Sequence, residues 1–254
     1  MSMTKTVLLT GGTGLFGQVL VKHLVANDWK VVTTAREQSR LDRLIASCGN
    51  YRDSLIGIVA DFNQEGAVAR LFESLLAKEV VVTHLVNNAR SISSLAVESD
   101  GATLPAVFMD EFKMDVLIPY QLTIGLAKAS QHSLNCVVNI GSMYGVVAPN
   151  PSLYDGDLDR SPIQYGVSKS ALHHLTRELA VRLSEKNIRV NCVAFGGVQG
   201  RADPSFKGRY SKLVPTGKML ESTEIIGPIE FLLSASSSAV NGHILMADGG
   251  WSIW

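Results

Sequence analysis

The chain has no excess of charge of either sign: 23 lysines and arginines are matched by 23 aspartates and glutamates. Without a net basic field, nothing draws nucleic acid or an anionic membrane to the molecule as a whole, so neither is expected as a partner. Cysteine is scarce. Cys48, Cys136 and Cys192 are odd in number, widely spaced and match no metal-ligand pattern. They argue against a disulfide framework and read as free thiols in a reducing compartment. Long apolar runs are lacking too. Thr6-Val7-Leu8-Leu9 is too short for a signal peptide or a membrane span, so a cytoplasmic location is expected. No repeat, low-complexity tract or linker interrupts the chain, and one domain over residues 1–254 is expected. His173 and His174 have no partners at ligand spacing, so no metal site is read.

What is present is a regular alternation. Short runs at Thr6–Thr10, Lys30–Thr34, Leu55–Val59, Val80–Val86, Leu134–Ile140, Ile188–Ala194 and His243–Met246 read as strands. They are rich in Val and Ile and show little polar alternation, as strands buried on both faces do. Between them lie stretches of helical period, at about Gly14–Asn27, Gln38–Cys48, Gln64–Lys78, Pro105–Gln131, Ser161–Glu185 and Thr223–Ser234. Strand–helix alternation gives right-handed crossovers and an α/β fold: a doubly wound, seven-stranded parallel sheet flanked by helices. Two stretches break the rhythm, Val147–Pro162 and Gly196–Leu220. Both follow strands, so both should border the crevice at the strands' carboxyl ends, where such sheets bind ligands.

The first strand is followed by Thr10-Gly11-Gly12-Thr13-Gly14-Leu15-Phe16-Gly17 and then a helix. Glycines there let backbone approach a pyrophosphate, and the helix N-terminus offers unpaired N–H groups and a positive dipole end. At the end of the second strand stands Ala35, where an NAD site usually has a carboxylate. Arg36 follows, and a guanidinium suits the 2′-phosphate of NADP. Glu37 lies close by and leaves NAD open.

Tyr165 and Lys169 are four residues apart on a predicted helix and so share a face. An ammonium beside a phenol favours the phenolate, and Tyr165 could then serve as general acid toward a carbonyl or base toward an alcohol. Ser142, just past the fifth strand, is placed to hydrogen-bond a substrate oxygen.

Taken in order, these marks resemble the short-chain dehydrogenase/reductase family over essentially the whole chain. They are the glycine turn, Asp61, Asn87-Asn88-Ala89, Ser142, Tyr165 with Lys169, Ile188-Arg189-Val190-Asn191 and Asp248-Gly249-Gly250-Trp251. The resemblance implies a Rossmann-type sheet and a nicotinamide cofactor, NADP with NAD as the other possibility. It implies that Thr10, Gly11, Thr13, Gly14, Leu15, Phe16, Gly17, Arg36, Asp61, Phe62, Asn88, Ala89, Arg90, Gly196 and Val198 line the cofactor, together with Tyr165 and Lys169. Ser142 and Tyr165 would bind the reacting oxygen, while Lys169 would hold the nicotinamide ribose. The segment Phe112–Val116 matches the one that usually supplies an asparagine to a proton relay; Asp115 stands there instead. Arg90 replaces a glycine, Phe195 a proline. Tyr165 lies 23 positions after Ser142, about ten more than usual, and Val147–Pro162 holds the surplus. Asn-Asn-Ala-Arg, Gly-Ser-Met-Tyr-Gly-Val-Val-Ala-Pro and Leu153-Tyr154-Asp155-Gly156 are similar to bacterial oxidoreductases of flagellin modification and surface-glycan sugar synthesis. That likeness implies a small sugar-like substrate, phosphorylated or nucleotide-linked.

Arg201, Lys207, Arg209 and Lys212 are expected to favour an anionic substrate if they lie over the mouth. Tyr144 and Tyr154 are candidates to stack on a sugar ring. The long helices and the apolar tail Trp251–Trp254 lead us to expect a homodimer or homotetramer. Two other functions stay open from sequence: an epimerase or dehydratase of a nucleotide sugar that retains NAD, and a dinucleotide-binding regulator without catalysis.

Overall fold

The computed structural model of the chain describes residues 5–129, 133–200 and 202–254. Its centre is a sheet of seven strands: β1 (Thr6–Leu9), β2 (Lys30–Ala35), β3 (Leu55–Val59), β4 (His84–Asn87), β5 (Cys136–Ser142), β6 (Arg189–Phe195) and β7 (Ile244–Ala247). Their order is β3-β2-β1-β4-β5-β6-β7, and every adjacent pair is parallel. The order reverses between β1 and β4, which puts a crevice at their carboxyl ends.

Successive side chains of these strands feed two cores. Val7 and Leu9 of β1 pack on one side of the sheet with Val31, Val138 and Val193; Leu8 packs on the other with Val32, Leu85, Val137 and Val190. Polar residues would be penalised on either face, which is why the strands read as continuous apolar runs. Helices α1 (Leu15–Ala26), α2 (Gln38–Ser47) and α3 (Ala67–Ala77) follow the first three strands. Strand β4 begins at His84, not Val80, because the Val80 N–H closes the end of α3 on Leu75 O at 3.0 Å instead of joining the sheet.

The long helix expected from Pro105 is two helices, α4 (Pro105–Phe112) and α5 (Ile118–Lys128), joined by a π-helical turn over Lys113–Leu117. Pro119 has no N–H to give the carbonyl of Asp115, so the α-helical ladder loosens at that point. The expected end of that helix, at Gln131, lies outside the described residues. Helix α6 (Ile163–Arg182) carries the Tyr165/Lys169 pair. Within the polar stretch 196–220 lies a helix the sequence pattern did not announce, α7 (Pro204–Leu213), started by Asp203, whose carboxylate accepts from Phe206 N at 2.8 Å. Helix α8 (Ile226–Leu233) returns to the first core.

A third, smaller core sits over the carboxyl ends of the strands. Met143, Leu153, Tyr210, Val214, Met219 and Trp251 form it. Of the apolar tail, Trp251 is buried while Ile253 and Trp254 are exposed. All three cysteines are buried and free, and among the described residues no helix is long and apolar enough to cross a membrane.

Candidate active site

The turn after β1 is shaped by contacts that leave no room for side chains. A Cβ on Gly17 would lie 2.3 Å from Gly11 O, and Gly11 itself has φ +71° with Ala89 Cα 2.8 Å from where its Cβ would be. Gly14 differs. Its Cβ would meet only Gly11 O, at 3.4 Å, so the protein does not fill that space. No side chain caps α1 at Gly14, and its first N–H groups face the same opening. The turn is sewn to β4: Thr10 Oγ1 accepts from Asn88 N at 3.0 Å and Ala89 N at 2.9 Å, and Asn88 Nδ2 donates to Thr10 O at 2.8 Å. Asn88, expected to line the cofactor, thus also has its amide committed to holding the turn.

From this turn a cleft of about 800 Å³ runs across the switch point to α6. Thr10, Gly11, Thr13, Gly14, Leu15, Phe16, Arg36, Asp61, Phe62, Asn88, Ala89, Arg90, Asp115, Ser142, Tyr165, Lys169, Gly196 and Val198 all line it. Gly17 alone of the residues expected to hold the cofactor or carry the chemistry does not; it is packed beneath the turn. Arg40, which sequence reasoning missed, lines the cleft from the first turn of α2, four residues after Arg36. The carboxylate of Glu37 pairs with Arg40 at 3.5 Å, and Glu37 does not line the cleft.

At the other end, Ser142 is the last residue of β5 and is buried, its Oγ accepting from Tyr144 N at 3.2 Å. Tyr165 is half-buried in the first turn of α6. Lys169 Nζ lies 5.7 Å from the centre of its ring, and the Arg90 guanidinium lies over the ring at 4.8 Å. Lys169 donates to Asp115 Oδ1 and to Ile140 O, both at 3.0 Å. Burial would strip Lys169 of its proton, but the charges of Asp115 and Tyr165 outweigh it and hold the ammonium above its ordinary range. A polar ladder steadies this end: Asn87 Nδ2 donates to Asn139 Oδ1 at 2.8 Å, and Asn139 Nδ2 to Thr176 Oγ1 at 2.9 Å.

Of the basic residues expected over the mouth, Arg201 lies outside the described residues, and Lys207, Arg209 and Lys212 do not line the cleft. Arg209 instead clamps the surplus segment: its Nε donates to Leu153 O at 2.7 Å and its Nη1 lies 3.1 Å from Asp155 Oδ2. Tyr154 packs edge-on against Phe206 and bonds Tyr144 hydroxyl to hydroxyl at 3.2 Å. Burial, then Tyr154, pushes the Tyr144 phenol well above the usual range, so it stays neutral. Tyr144 lines the cleft; Tyr154 stands behind it. Among the described residues no cluster of side chains could hold a metal ion.

A sequence profile of the short chain dehydrogenase family matches residues 5–207. The chain belongs to that family, whose members act on alcohol and carbonyl groups. It is 26% identical to post-translational flagellin modification protein A of Campylobacter coli over 98% of each chain. It is 28% identical to the L-tagatose-forming galactitol 2-dehydrogenase of Cereibacter sphaeroides, over 97% of this chain and 94% of that one. A short chain dehydrogenase of Leptospira borgpetersenii solved with bound NAD+ superposes with a TM-score of 0.83 at 26% identity, covering 98% of this chain and 93% of that one.

Proposed function

We propose that residues 1–254 form one catalytic unit that transfers hydride reversibly between NADP(H) and a carbonyl or alcohol on a small, sugar-like or anionic substrate. One observation carries this reading: a tyrosine flanked by two cations opens onto the same cleft as an uncapped helix N-terminus. The space that Gly14 leaves free, with unpaired N–H groups facing it, fits a pyrophosphate. Arg36 and Arg40 in the cleft wall suit a 2′-phosphate, since Glu37, the nearest carboxylate to Arg36 in the chain, is engaged by Arg40. A bound nicotinamide dinucleotide supplies the hydride donor or acceptor.

The protein's own part is proton transfer and placement. Ser142 donates a hydrogen bond to the reacting oxygen. Tyr165 gives that oxygen a proton or takes one from it, and the positive charges of Lys169 and Arg90 stabilise the phenolate that forms. Asp115 anchors Lys169. Arg90 reaches for a carboxylate or phosphate on the substrate, and Tyr144 offers its ring to a sugar face. The sugar-like substrate is also suggested by the galactitol dehydrogenase and flagellin-modification relatives. Exposed apolar side chains on α4 to α6, among them Met109, Tyr120, Ile163 and Val167, with Leu104 just before α4, support assembly as a homodimer or homotetramer. The buried free thiols are in keeping with a cytoplasmic location.

Fluorescence titration with NADPH and NADH, on the wild type and on Tyr165→Phe, tests the core of this. NADPH should bind at least about tenfold more tightly, the scale of one charge-assisted bond, and the variant should bind it equally but not turn over phosphorylated keto-sugars. A preference for NADH would remove Arg36 from the reading. Turnover by Tyr165→Phe would remove Tyr165, and NAD retained through purification would point to the hydride-returning epimerase.

A further inference from the structure

Beneath the Tyr165/Lys169 pair lies a buried polar network that the usual residues of the family's site do not explain. Glu111, in the last turn of α4, is fully buried, and Asp115 is buried one turn later. Asp115 Oδ1 accepts from Lys169, and Glu111 Oε2 is in short contact with the Ser94 hydroxyl. The other two carboxyl oxygens, Glu111 Oε1 and Asp115 Oδ2, are buried with no partner. Four oxygens therefore share two donors. Ser94 is less of a donor than it looks. Its single hydrogen is also within reach of Ser91 O, at 3.0 Å, and that carbonyl cannot donate. A proton on Glu111 relieves the shortage at Ser94: donated to Ser94 Oγ, it frees the Ser94 hydrogen for Ser91 O.

Electrostatics agree. Two ionised carboxylates buried close together repel strongly, and such pairs keep one proton between them. The charged groups facing Glu111 are Asp115, Lys169 and Arg90. Burial first, and Asp115 second, push the Glu111 carboxyl up to about 7, while Ser94, Lys169 and Arg90 pull it back. The network continues to the helix that bears Tyr165: Gln164 Nε2 donates to Ser94 O at 3.0 Å and Ala96 O at 3.1 Å, and Thr103 donates to Gln164 Oε1 at 2.8 Å. Glu111 and Gln164 are thus joined through Ser94, and Gln164 is the residue that precedes Tyr165 on α6.

Taking Tyr165 and Lys169 as the proton-transfer pair proposed above, we propose that Glu111 is a positioning residue that forms a two-carboxylate, one-proton pair with Asp115. The pair presents a single negative charge to Lys169. It thereby leaves the ammonium neutralised once rather than overwhelmed, so that the phenolate of Tyr165 remains accessible. When Glu111 ionises, a second negative charge arrives beneath the tyrosine and disfavours the phenolate.

Both tests use the resting protein without substrate. Infrared spectra of the wild type near neutral pH should show the carbonyl stretch of a protonated carboxylic acid that fades as the pH is raised and is missing in Glu111→Gln. Ultraviolet titration, with Tyr165→Phe as baseline, should find the Tyr165 phenolate forming at a lower pH in Glu111→Gln than in the wild type, by about half a unit or more. Absence of the band in the wild type, or an unshifted phenolate, overturns the proposal. Should Glu111→Gln fail to fold, the wild-type infrared titration decides alone. Turnover by Tyr165→Phe would refute the catalytic reading and leave the band, which is read without turnover, to decide the carboxyl pair separately.

Discussion

Lys169 illustrates how a charge survives in a protein interior. It is almost wholly buried, and Asp115 and the Ile140 carbonyl take its hydrogens, with Asp115 the largest influence holding it charged against burial. Removing one partner of such a pair costs more than removing both, because an uncompensated charge is left behind. Lys169→Met should lose about 3 kcal/mol of stability by urea denaturation, and adding Asp115→Asn should recover more than half of it. A double variant no more stable than the single one would mean the pair is not the source. At this scale the sequence was partly readable. Tyr165, Lys169 and Ser142 stood out through their order along the chain and their local spacing. Glu111 and Arg40 did not, because their significance lies in what the fold sets opposite them: Ser94 from a loop 17 positions away for one, the open cleft for the other.

Elements were legible wherever burial dictated the pattern. The strands, apolar on both faces, were found within a few residues, and α1, α2 and α6 nearly to their ends. Failures came where polarity concealed structure. Helix α7 has a mostly solvated surface and fills a stretch that reads as loop, and the break between α4 and α5 is written only in Pro119. Arg209 of α7 looked like a free cation over the cleft, yet it holds the surplus segment by Leu153 O and Asp155. Arg209→Ala should therefore leave the sheet intact and loosen residues 147–162. Limited proteolysis within that segment should speed up about tenfold, the scale of one charge-assisted hydrogen bond, with a higher KM and a smaller change in kcat. An unchanged cleavage rate would mean the third core alone holds the segment.

For the whole molecule, buried titratable groups set how stability responds to acid. Burial, with Lys169 and Arg177, lowers His173 from 6.5 to about 4. Burial, with Arg189 and Lys5, does the same to His84. The folded state thus refuses two protons that the unfolded chain accepts, so stability is present above about pH 6.5 and is lost as the pH falls toward 4. Glu111 acts in the opposite sense. Raised from 4.5 to about 7, it holds a proton the unfolded chain has released, and its contribution is lost as the pH rises through 7. Two groups outweigh one, so the protein should weaken between pH 6.5 and 4.5 in chemical denaturation. Glu111→Gln should steepen that loss; a shallower slope would contradict the assignment.

The sheet's strand order also bears on time. β1 pairs with β4, and the Thr10 hydroxyl that shapes the glycine turn is held by amides 78 and 79 positions later in the chain. Neither half of the cleft has its final shape until that distant seam closes. Closing so long a loop is entropically slow, and parallel pairing offers no hairpin shortcut. The crevice should therefore be among the last features to mature as the chain folds, and among the first to gape when the seam between β1 and β4 is strained.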